Sequence, residues 1–185
     1  MVKDVISNMN VHMDKSIESL RKDYQKVRTG RASTSLLDEV KVDSYGSLSP
    51  LNQVATLSVP EARCINIQPW DPKMIQPIEK AIMNANLGLT PANDGKVIRL
   101  TLPPLTEERR KDIVKQLKRD AEDAKVALRN IRRDAIDQLK KLEKDKQISE
   151  DELKRAEKDV QDSTNNHVAK VDDVLLHKEK EVMEV

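Results

Sequence analysis

Three arginines at helical spacing are the residues of this sequence best suited to chemistry. Arg129, Arg132 and Arg133 stand at i, i+3 and i+4, with Lys125 one turn earlier, so their side chains share one flank of a predicted helix. Only Asp134 opposes them nearby, and like charges this close together cost stability. A planar, permanently charged guanidinium suits phosphate. The spacing therefore predicts contact with a nucleic-acid backbone, and a merely solvated basic face is the alternative.

The sequence offers little for catalysis. It has no glycine-rich phosphate loop, no HExxH and no CxxC motif. His12, His167 and His177 fall in helical segments without a serine, cysteine or carboxylate constellation, so we expect surface or edge residues rather than bases. The single cysteine, Cys64, excludes an internal disulfide and is expected to pack in a strand as a small apolar group. We therefore predict no enzyme activity, no metal and no cofactor.

The composition is typical of long, solvated helices. Of 185 residues, 35% are charged and only 2% are aromatic, and the net charge is +1. That small net charge hides an asymmetry, because residues 109–133 carry ten basic and four acidic side chains, whereas residues 150–185 carry six basic and eleven acidic ones. The basic segment indicates a polyanionic partner. No signal peptide and no apolar run of membrane-spanning length is evident, so we expect a soluble cytoplasmic protein.

Three segments have the apolar periodicity of amphipathic helices. From Leu105 to Ile148 apolar residues recur every three or four positions without proline or glycine, and Thr106 is a candidate N-cap. Residues 1–29 follow the same pattern, and Ser149 to Glu152 forms a capping box that opens a third helix. An antiparallel three-helix bundle is the economical fold. Antiparallel packing would bring Arg28 and Arg31 towards one of the basic groups of the second helix, but the sequence leaves open which.

Residues 31–104 form a different kind of region between the first two helices. They hold all eight prolines, short β-like runs, and a helical stretch from Pro72 to Leu87 with Met74, Ile75, Ile78, Ile82 and Met83 inward. The predicted strands are Glu39–Val42, Val54–Val59, Cys64–Gln68 and Lys96–Leu102, with a turn at 93–95. Trp70 is expected to anchor the core or edge of this region. The region is entered at Gly30–Ala32 and left at Leu102–Leu105, two adjacent crossings that could act as a hinge.

Four separate motifs identify a resemblance that covers essentially the whole chain. They are VRTGRAS at 27–33, LPPLTEERRKD at 102–112, RNIRRDA at 129–135 and DKQISED at 145–151. Shorter pieces, EKAI at 79–82 and LGL at 87–89, lie in the region between the helices. With these motifs in this order, the sequence closely resembles the bacterial ribosome recycling factors.

The resemblance implies an α+β, L-shaped molecule, in which a small inserted β/α/β domain (31–104) interrupts an antiparallel three-helix bundle (1–30 and 105–185). It implies a non-enzymatic translation factor that binds the post-termination ribosome as a monomer. Elongation factor G and its GTP hydrolysis would drive subunit separation and mRNA release, and the insert and hinge would contact that factor. The residues expected to contact large-subunit rRNA are Arg28, Arg31, Arg110, Arg129, Arg132 and Arg133. The expected hinge residues are Gly30, Arg31, Ala32, Pro103, Pro104 and Leu105.

Two other functions remain open from the residues alone. A coiled-coil adaptor would recruit a protein through its helices, form a stable dimer and bind its partner with little dependence on salt. A hydrolase that uses the insert would need a nucleophile and a base that the sequence does not reveal.

Overall fold

The computed structural model describes residues 1–184, which divide into two compact units. Residues 1–28 and 106–184 form one unit, called the bundle, and residues 29–105 form the other, called the insert. The insert therefore includes Thr29 and Gly30, both of which are buried. Each unit has its own hydrophobic core.

The bundle consists of three long helices. They are α1 (Val2–Gln25), α3 (Glu107–Lys144) and α4 (Glu150–Met183). Side-chain contacts show the directions of the helices. Lys125 of α3 pairs with Asp172 of α4, and further along α3 Arg132 bonds Gln161, which comes earlier in α4. Thus α3 runs antiparallel to α4. The first helix runs parallel to α4, because Asn10 and Asp14 contact Ser163 and His167 in the same order. The predicted antiparallel three-helix bundle is confirmed.

Local capping sets the limits of α3 and α4. The hydroxyl of Thr106 accepts a hydrogen bond from the Arg109 N–H at 3.1 Å, and Ser149 and Glu152 form a complete capping box. Between the helices, Lys146 takes a positive φ of 59°, and the Gln147 N–H donates to the carbonyl of Leu142. This short turn reverses the chain and leaves Ile148 buried. The predicted N-caps are confirmed, whereas α3 ends at Lys144, before the end of the predicted stretch at Ile148.

The first helix ends four residues before its predicted limit. It stops at Gln25, although the apolar pattern continues to Val27. Tyr24 closes this end of the bundle, because its hydroxyl donates a 2.6 Å hydrogen bond to the carbonyl of Leu117 on α3. Burial, reinforced by the charges of Asp120 and Glu179, raises the pKa of Tyr24 well above its ordinary value.

The insert contains two antiparallel sheets and one helix. Its strands are β1 (Lys41–Ser44), β2 (Ser47–Pro50), β3 (Ala55–Glu61), β4 (Cys64–Pro69), β5 (Pro91–Asn93) and β6 (Ile98–Thr101). Strands β1 and β2 form a hairpin, and the other four lie in the order β3-β4-β6-β5. The helix α2 (Ile75–Asn84) buries Ile78 and Ile82 among the sheet residues Ile65, Ile67 and Ile98. Pro77 lies in the first turn of α2, where its missing N–H needs no partner.

Several predictions for the insert are confirmed and others are wrong. The turn at 93–95 is confirmed, since the Asp94 carboxylate accepts bonds from the Lys96 and Val97 N–H groups, which lower its pKa. Strands β2 and β5 were not predicted, because both are short edge strands that contain proline. Met83 was expected inward but is 57% exposed, near the end of α2. Cys64 lies in β4 and is partly buried, with its Sγ 3.6 Å from the Asn66 side-chain oxygen.

A polar seam joins α1 to α4, and it contradicts the prediction that His167 is a surface or edge residue. His167 is only 6% exposed. Its Nδ1 lies 2.7 Å from the carbonyl of Ser163, and its Nε2 lies 2.9 Å from the Asp14 carboxylate. One helical turn away, the Ser163 hydroxyl lies 2.5 Å from the side-chain oxygen of Asn10. His167 is therefore a buried structural residue of α4, and both of its ring nitrogens have a hydrogen-bond partner.

We expect Asp14→Ala to lower the unfolding free energy of the bundle by about 1–3 kcal/mol, because it leaves a buried ring nitrogen of His167 without a partner. Urea unfolding followed by far-UV circular dichroism measures this loss. Asp162→Ala, an exposed aspartate on α4, is the matched control and should change stability by about 0.5 kcal/mol or less. Equal losses in the two variants would contradict a stabilising role for the seam.

Candidate nucleic-acid interface

Arg129, Arg132 and Arg133 share one flank of α3 but differ in burial. Arg129 and Arg133 are one turn apart and exposed, so they form a single basic surface that faces solvent. Arg132 is half-buried at the edge next to α4, where its Nη1 donates a 3.0 Å bond to the Gln161 side-chain oxygen. Its Nε is buried without a hydrogen-bond partner, so only the outer end of the guanidinium is available to a ligand. The three arginines together are called the arginine surface below.

Two acidic side chains outside the local sequence form ion pairs with Lys125 and Arg129. Lys125 lies 2.6 Å from the Asp172 carboxylate of α4, and Arg129 lies 3.3 Å from Glu122, two turns earlier on α3. Asp134 remains the only acidic residue within 125–134, but the ion-pair partners of the cluster come from outside that stretch. The Arg129–Glu122 pair is about half exposed on both sides, and such pairs contribute only about 0–1 kcal/mol. A phosphate could displace Glu122 at little cost, and among residues 1–184 Arg133 has no acidic partner at all.

Arg28 and Arg110 belong to the opposite end of the bundle. Tyr24 touches Leu117, and the antiparallel course of α1 and α3 then directs the chain after Tyr24 towards the start of α3. Arg28 therefore lies at the end of the bundle that carries Arg110. Leu117 and Arg129 are separated by about 18 Å along α3. The end of α1 thus packs against α3 well away from Arg129, which favours Arg109, Arg110 and Lys111 over the arginine surface as the basic residues nearest Arg28.

Arg31 belongs to the insert, next to one of the two chain crossings. At the first crossing the Ala32 N–H donates to the carbonyl of Ala62, and at the second the Leu102 N–H donates to the carbonyl of Arg63. Both crossings are thus bonded to the same turn, between β3 and β4. Gly30 takes a φ of 82°, in the left-handed region that glycine occupies without strain.

Two of the three aromatic side chains lie on the surface of the insert, which the sequence did not reveal. Tyr45, in the β1–β2 turn, is 82% exposed, and Trp70, after β4, is 64% exposed. The Tyr45 hydroxyl donates a 2.5 Å bond to Asp71, which lowers the pKa of that carboxyl and raises the pKa of the tyrosine. The indole N–H of Trp70 donates to the Thr56 hydroxyl at 2.9 Å. Trp70 is therefore an edge residue, and the exposed side chains of Tyr45 and Trp70 are together called the aromatic patch.

The described residues contain no cluster of three or more side chains that could hold a metal ion. His12 and His177 are exposed, and the ring nitrogens of His167 are both occupied. None of the helices over residues 1–184 has the length and apolar character that a membrane span requires.

Bundle, insert and arginine surface together define a class of protein, a two-unit α+β protein built around one long basic helix. Within that class, the chain belongs to the ribosome recycling factor family, whose sequence model matches residues 20–183. Ribosome-recycling factors of Citrifermentans bemidjiense and Geobacter sulfurreducens are 89% and 76% identical to it over 185 residues, with complete coverage of both chains.

Solved structures agree with this membership. A solution structure of the ribosome recycling factor matches with a TM-score of 0.75 and 42% identity, covering 100% of this chain and 98% of that one. A Thermus thermophilus ribosome recycling factor, placed with Escherichia coli elongation factor G on the E. coli post-termination complex, matches with a TM-score of 0.63 and 45% identity over 99% of each chain. The predicted family and the predicted α+β fold class are confirmed.

Proposed function

We propose that this chain binds the post-termination ribosome and, with elongation factor G, separates its subunits and releases mRNA. The observation that carries this proposal is the arginine surface on a 38-residue helix, about 57 Å long, in a member of this family. A stiff helix holds guanidinium groups in fixed positions, so they can engage an RNA backbone without a large ordering cost. The T. thermophilus relative, placed on a post-termination complex beside elongation factor G, supports the assignment.

The arginines supply the contact with large-subunit rRNA. Arg129, Arg132 and Arg133 would bind phosphates along one side of α3, while Arg28, Arg31 and Arg110 would make the remaining contacts. Guanidinium groups bind phosphate through paired, charge-assisted hydrogen bonds. Each neutralised phosphate adds roughly 0.7–0.9 to the dependence of the logarithm of affinity on the logarithm of salt concentration.

The chain contributes binding energy and no bond chemistry. GTP hydrolysis belongs to elongation factor G, and the chain transmits the resulting force as a rigid bundle. We assign the bending points to Gly30 and Arg31 at one crossing, with the predicted hinge residue Ala32 as its limit on the insert side, and to Pro103, Pro104 and Leu105 at the other. The bonds of Ala32 and Leu102 to the β3–β4 turn support this assignment, because they hold the insert side of each crossing in place. We further propose that the factor acts as a monomer in the cytoplasm.

Light scattering of purified post-termination complexes tests the function directly. Subunit splitting should require this chain, elongation factor G and GTP together, and a non-hydrolysable GTP analogue should prevent turnover. Splitting that proceeds with elongation factor G alone, at the same rate with and without the chain, would contradict the proposal. Sedimentation velocity of the free chain tests the monomer and separates this function from the coiled-coil adaptor.

The aromatic patch on the insert supplies a contact for elongation factor G. Exposed tryptophan and tyrosine are enriched at the energetic centres of protein interfaces, because they bury much area at low entropic cost. The bonds to Asp71 and Thr56 hold Tyr45 and Trp70 before a partner arrives. Pre-ordering of this kind reduces the cost of binding.

We expect Trp70→Ala to lower the apparent affinity for elongation factor G in the splitting reaction by at least about tenfold. Binding of the variant to ribosomes without elongation factor G should be unchanged, because the arginine surface is intact. Met83→Ala, which removes another exposed apolar side chain of the insert, is the matched control and should behave as wild type. Full splitting activity of Trp70→Ala at limiting elongation factor G would contradict the proposal that the aromatic patch contacts this factor.

A further inference from the structure

A long groove runs between α1 and α3 on the outside of the bundle. Its volume is about 760 Å³, and it extends from Val5 to Asp23 on α1, which is about 27 Å of helix. Its centre is open because small side chains line both walls, among them Ser16 and Ser19 on α1 and Ala124 and Ala127 on α3. Two helices with small facing residues leave a channel that neither fills.

The floor of the groove is apolar and partly exposed. Val5, Ala124, Ala127 and Ile131 are all half-buried, so their remaining apolar surface faces the channel. Ile131 follows the apolar periodicity of α3 but is less covered than Leu128 and Ala135 on either side of it. A ligand that covered this strip would be stabilised by the removal of its apolar surface from water.

The rim of the groove is strongly acidic. Asp23, Asp120, Asp123 and Asp134 line it, against one lysine, Lys15, and one histidine, His12. Asp123 and Asp134 lie on the same edge of α3 about three turns apart, and both are exposed. Over residues 1–184 the ion pairs of α3 use other side chains, so these two carboxylates have no basic partner.

The groove and the two exposed arginines, Arg129 and Arg133, lie on opposite sides of α3, and Arg132 lies between them at the edge next to α4. At 100° per residue, Arg129 and Arg133 each project about 200° around the helix from Ile131. RNA phosphate bound at the arginines is therefore remote from the groove, and the four aspartates would repel phosphate that approached it. The two surfaces select partners of opposite charge.

We propose that the groove between α1 and α3 is a docking site for a basic amphipathic α-helix of a partner protein. Apolar side chains at i, i+3, i+4 and i+7 of that helix would cover Ala124, Ala127 and Ile131, as in other helix-in-groove complexes. Lysines or arginines on either side would pair with Asp123 and Asp134. About five helical turns fill the length of the groove, and the bound helix would pack as a fourth member of the bundle. This proposal goes beyond the ribosomal function and rests on different residues.

The probe is an 18-residue peptide with leucines along one helical face and lysines along the other. A second peptide, with glutamate in place of every lysine, tests whether charge is required. Titration of the ¹⁵N-labelled full chain should shift the amides of α1 and α3 that line the groove, while those of α4 around Asp159 and Asp162 stay unchanged. Fluorescence anisotropy of the labelled lysine peptide then gives the dissociation constant.

Variants that remove charge test whether the acidic rim of the groove binds the lysine peptide. We expect Asp123→Asn with Asp134→Asn to weaken binding of the lysine peptide by about tenfold, since two opposed charge pairs are lost. The matched control, Asp159→Asn with Asp162→Asn, makes the same charge change at exposed positions of α4 and should leave affinity unchanged. Ala127→Arg, which adds bulk and positive charge to the floor, should abolish binding, and circular dichroism confirms that each variant is folded.

Three results would overturn the proposal. The first is unchanged affinity in the Asp123 and Asp134 double variant, and the second is equal binding of the glutamate peptide. The third is a dimer of the free chain in sedimentation velocity that the same double variant dissociates, because this would assign the groove to a second copy of the chain.

Discussion

Ribosome binding should fall by about 2–3 kcal/mol when Arg129 and Arg133 are both replaced by alanine. A charge-assisted hydrogen bond contributes about 1.5–3 kcal/mol, and partial solvent screening at this exposed surface reduces the sum of two. The loss corresponds to roughly a 30- to 150-fold weaker dissociation constant. Co-sedimentation with vacant ribosomes across a salt series measures it.

The salt series also reports how many phosphates are lost. If each arginine neutralises one phosphate, the slope of log affinity against log salt should become shallower by about 1.4–1.8 in the double variant. Arg119→Ala with Arg155→Ala is the matched control, because it removes the same charge from exposed positions of the bundle outside the arginine surface. Its affinity should fall only slightly, through the general loss of positive charge. If both double variants weakened ribosome binding equally, the arginine surface would contribute only non-specific electrostatic attraction.

A single Arg132→Ala change should weaken ribosome binding by about 1–3 kcal/mol and leave the bundle folded. The guanidinium of Arg132 differs from its neighbours because Gln161 holds it and its Nε is buried. Such a group is already ordered before it meets phosphate, so little entropy is lost on binding. Thermal unfolding of the variant serves as the control, and an unfolded variant would assign Arg132 to the α3–α4 contact instead.

The bundle could be predicted from the sequence because its signals are local. Apolar spacing identified the three helices, and the hydroxyls of Thr106 and Ser149 marked where two of them begin. The end of α1 was placed too late, because Val27 continues the apolar pattern past the last helical turn. Periodicity reports which face is apolar and does not report where the backbone stops being helical.

The polar contacts could not be predicted because they join residues far apart in the chain. Asp14 and His167 are separated by 153 positions, and only the register of α1 against α4 brings them together. The same applies to Lys125 and Asp172, whose pairing changes the charge balance beside the arginine surface. Charge patterns within one helix are visible in a sequence, whereas their neutralisation by another helix depends on packing.

The aromatic patch illustrates a different limit. The sequence predicts a core or edge position for the lone tryptophan, Trp70. Nothing in the sequence reveals that its side chain is 64% exposed. Exposure here follows from topology, because Trp70 comes just after Pro69, the last residue of β4, where its N–H bonds the carbonyl of Val54. The indole then lies at the edge strand β3, where its N–H bonds the Thr56 hydroxyl.

We expect Ile67→Ala to destabilise the insert by about 2–5 kcal/mol while the bundle stays intact. Ile67 is fully buried between the sheet and α2, so truncation removes apolar contact and leaves a cavity. An insert of residues 29–105 has a total stability of only about 4–12 kcal/mol at typical values per residue, so much of it would be lost. Hydrogen exchange of the full chain, read residue by residue, measures the effect in each unit.

Leu128→Ala in the core of the bundle is the reciprocal variant, since Leu128 is equally buried and the change removes the same kind of side chain. Ile67→Ala should accelerate exchange in β3, β4 and β6 and leave α3 protected, whereas Leu128→Ala should act on α1, α3 and α4. This separation follows from two hydrophobic cores that share no buried residue. If Ile67→Ala accelerated exchange in α3 as strongly as in β4, the two units would unfold together. This result would contradict a bundle that stays rigid independently of the insert.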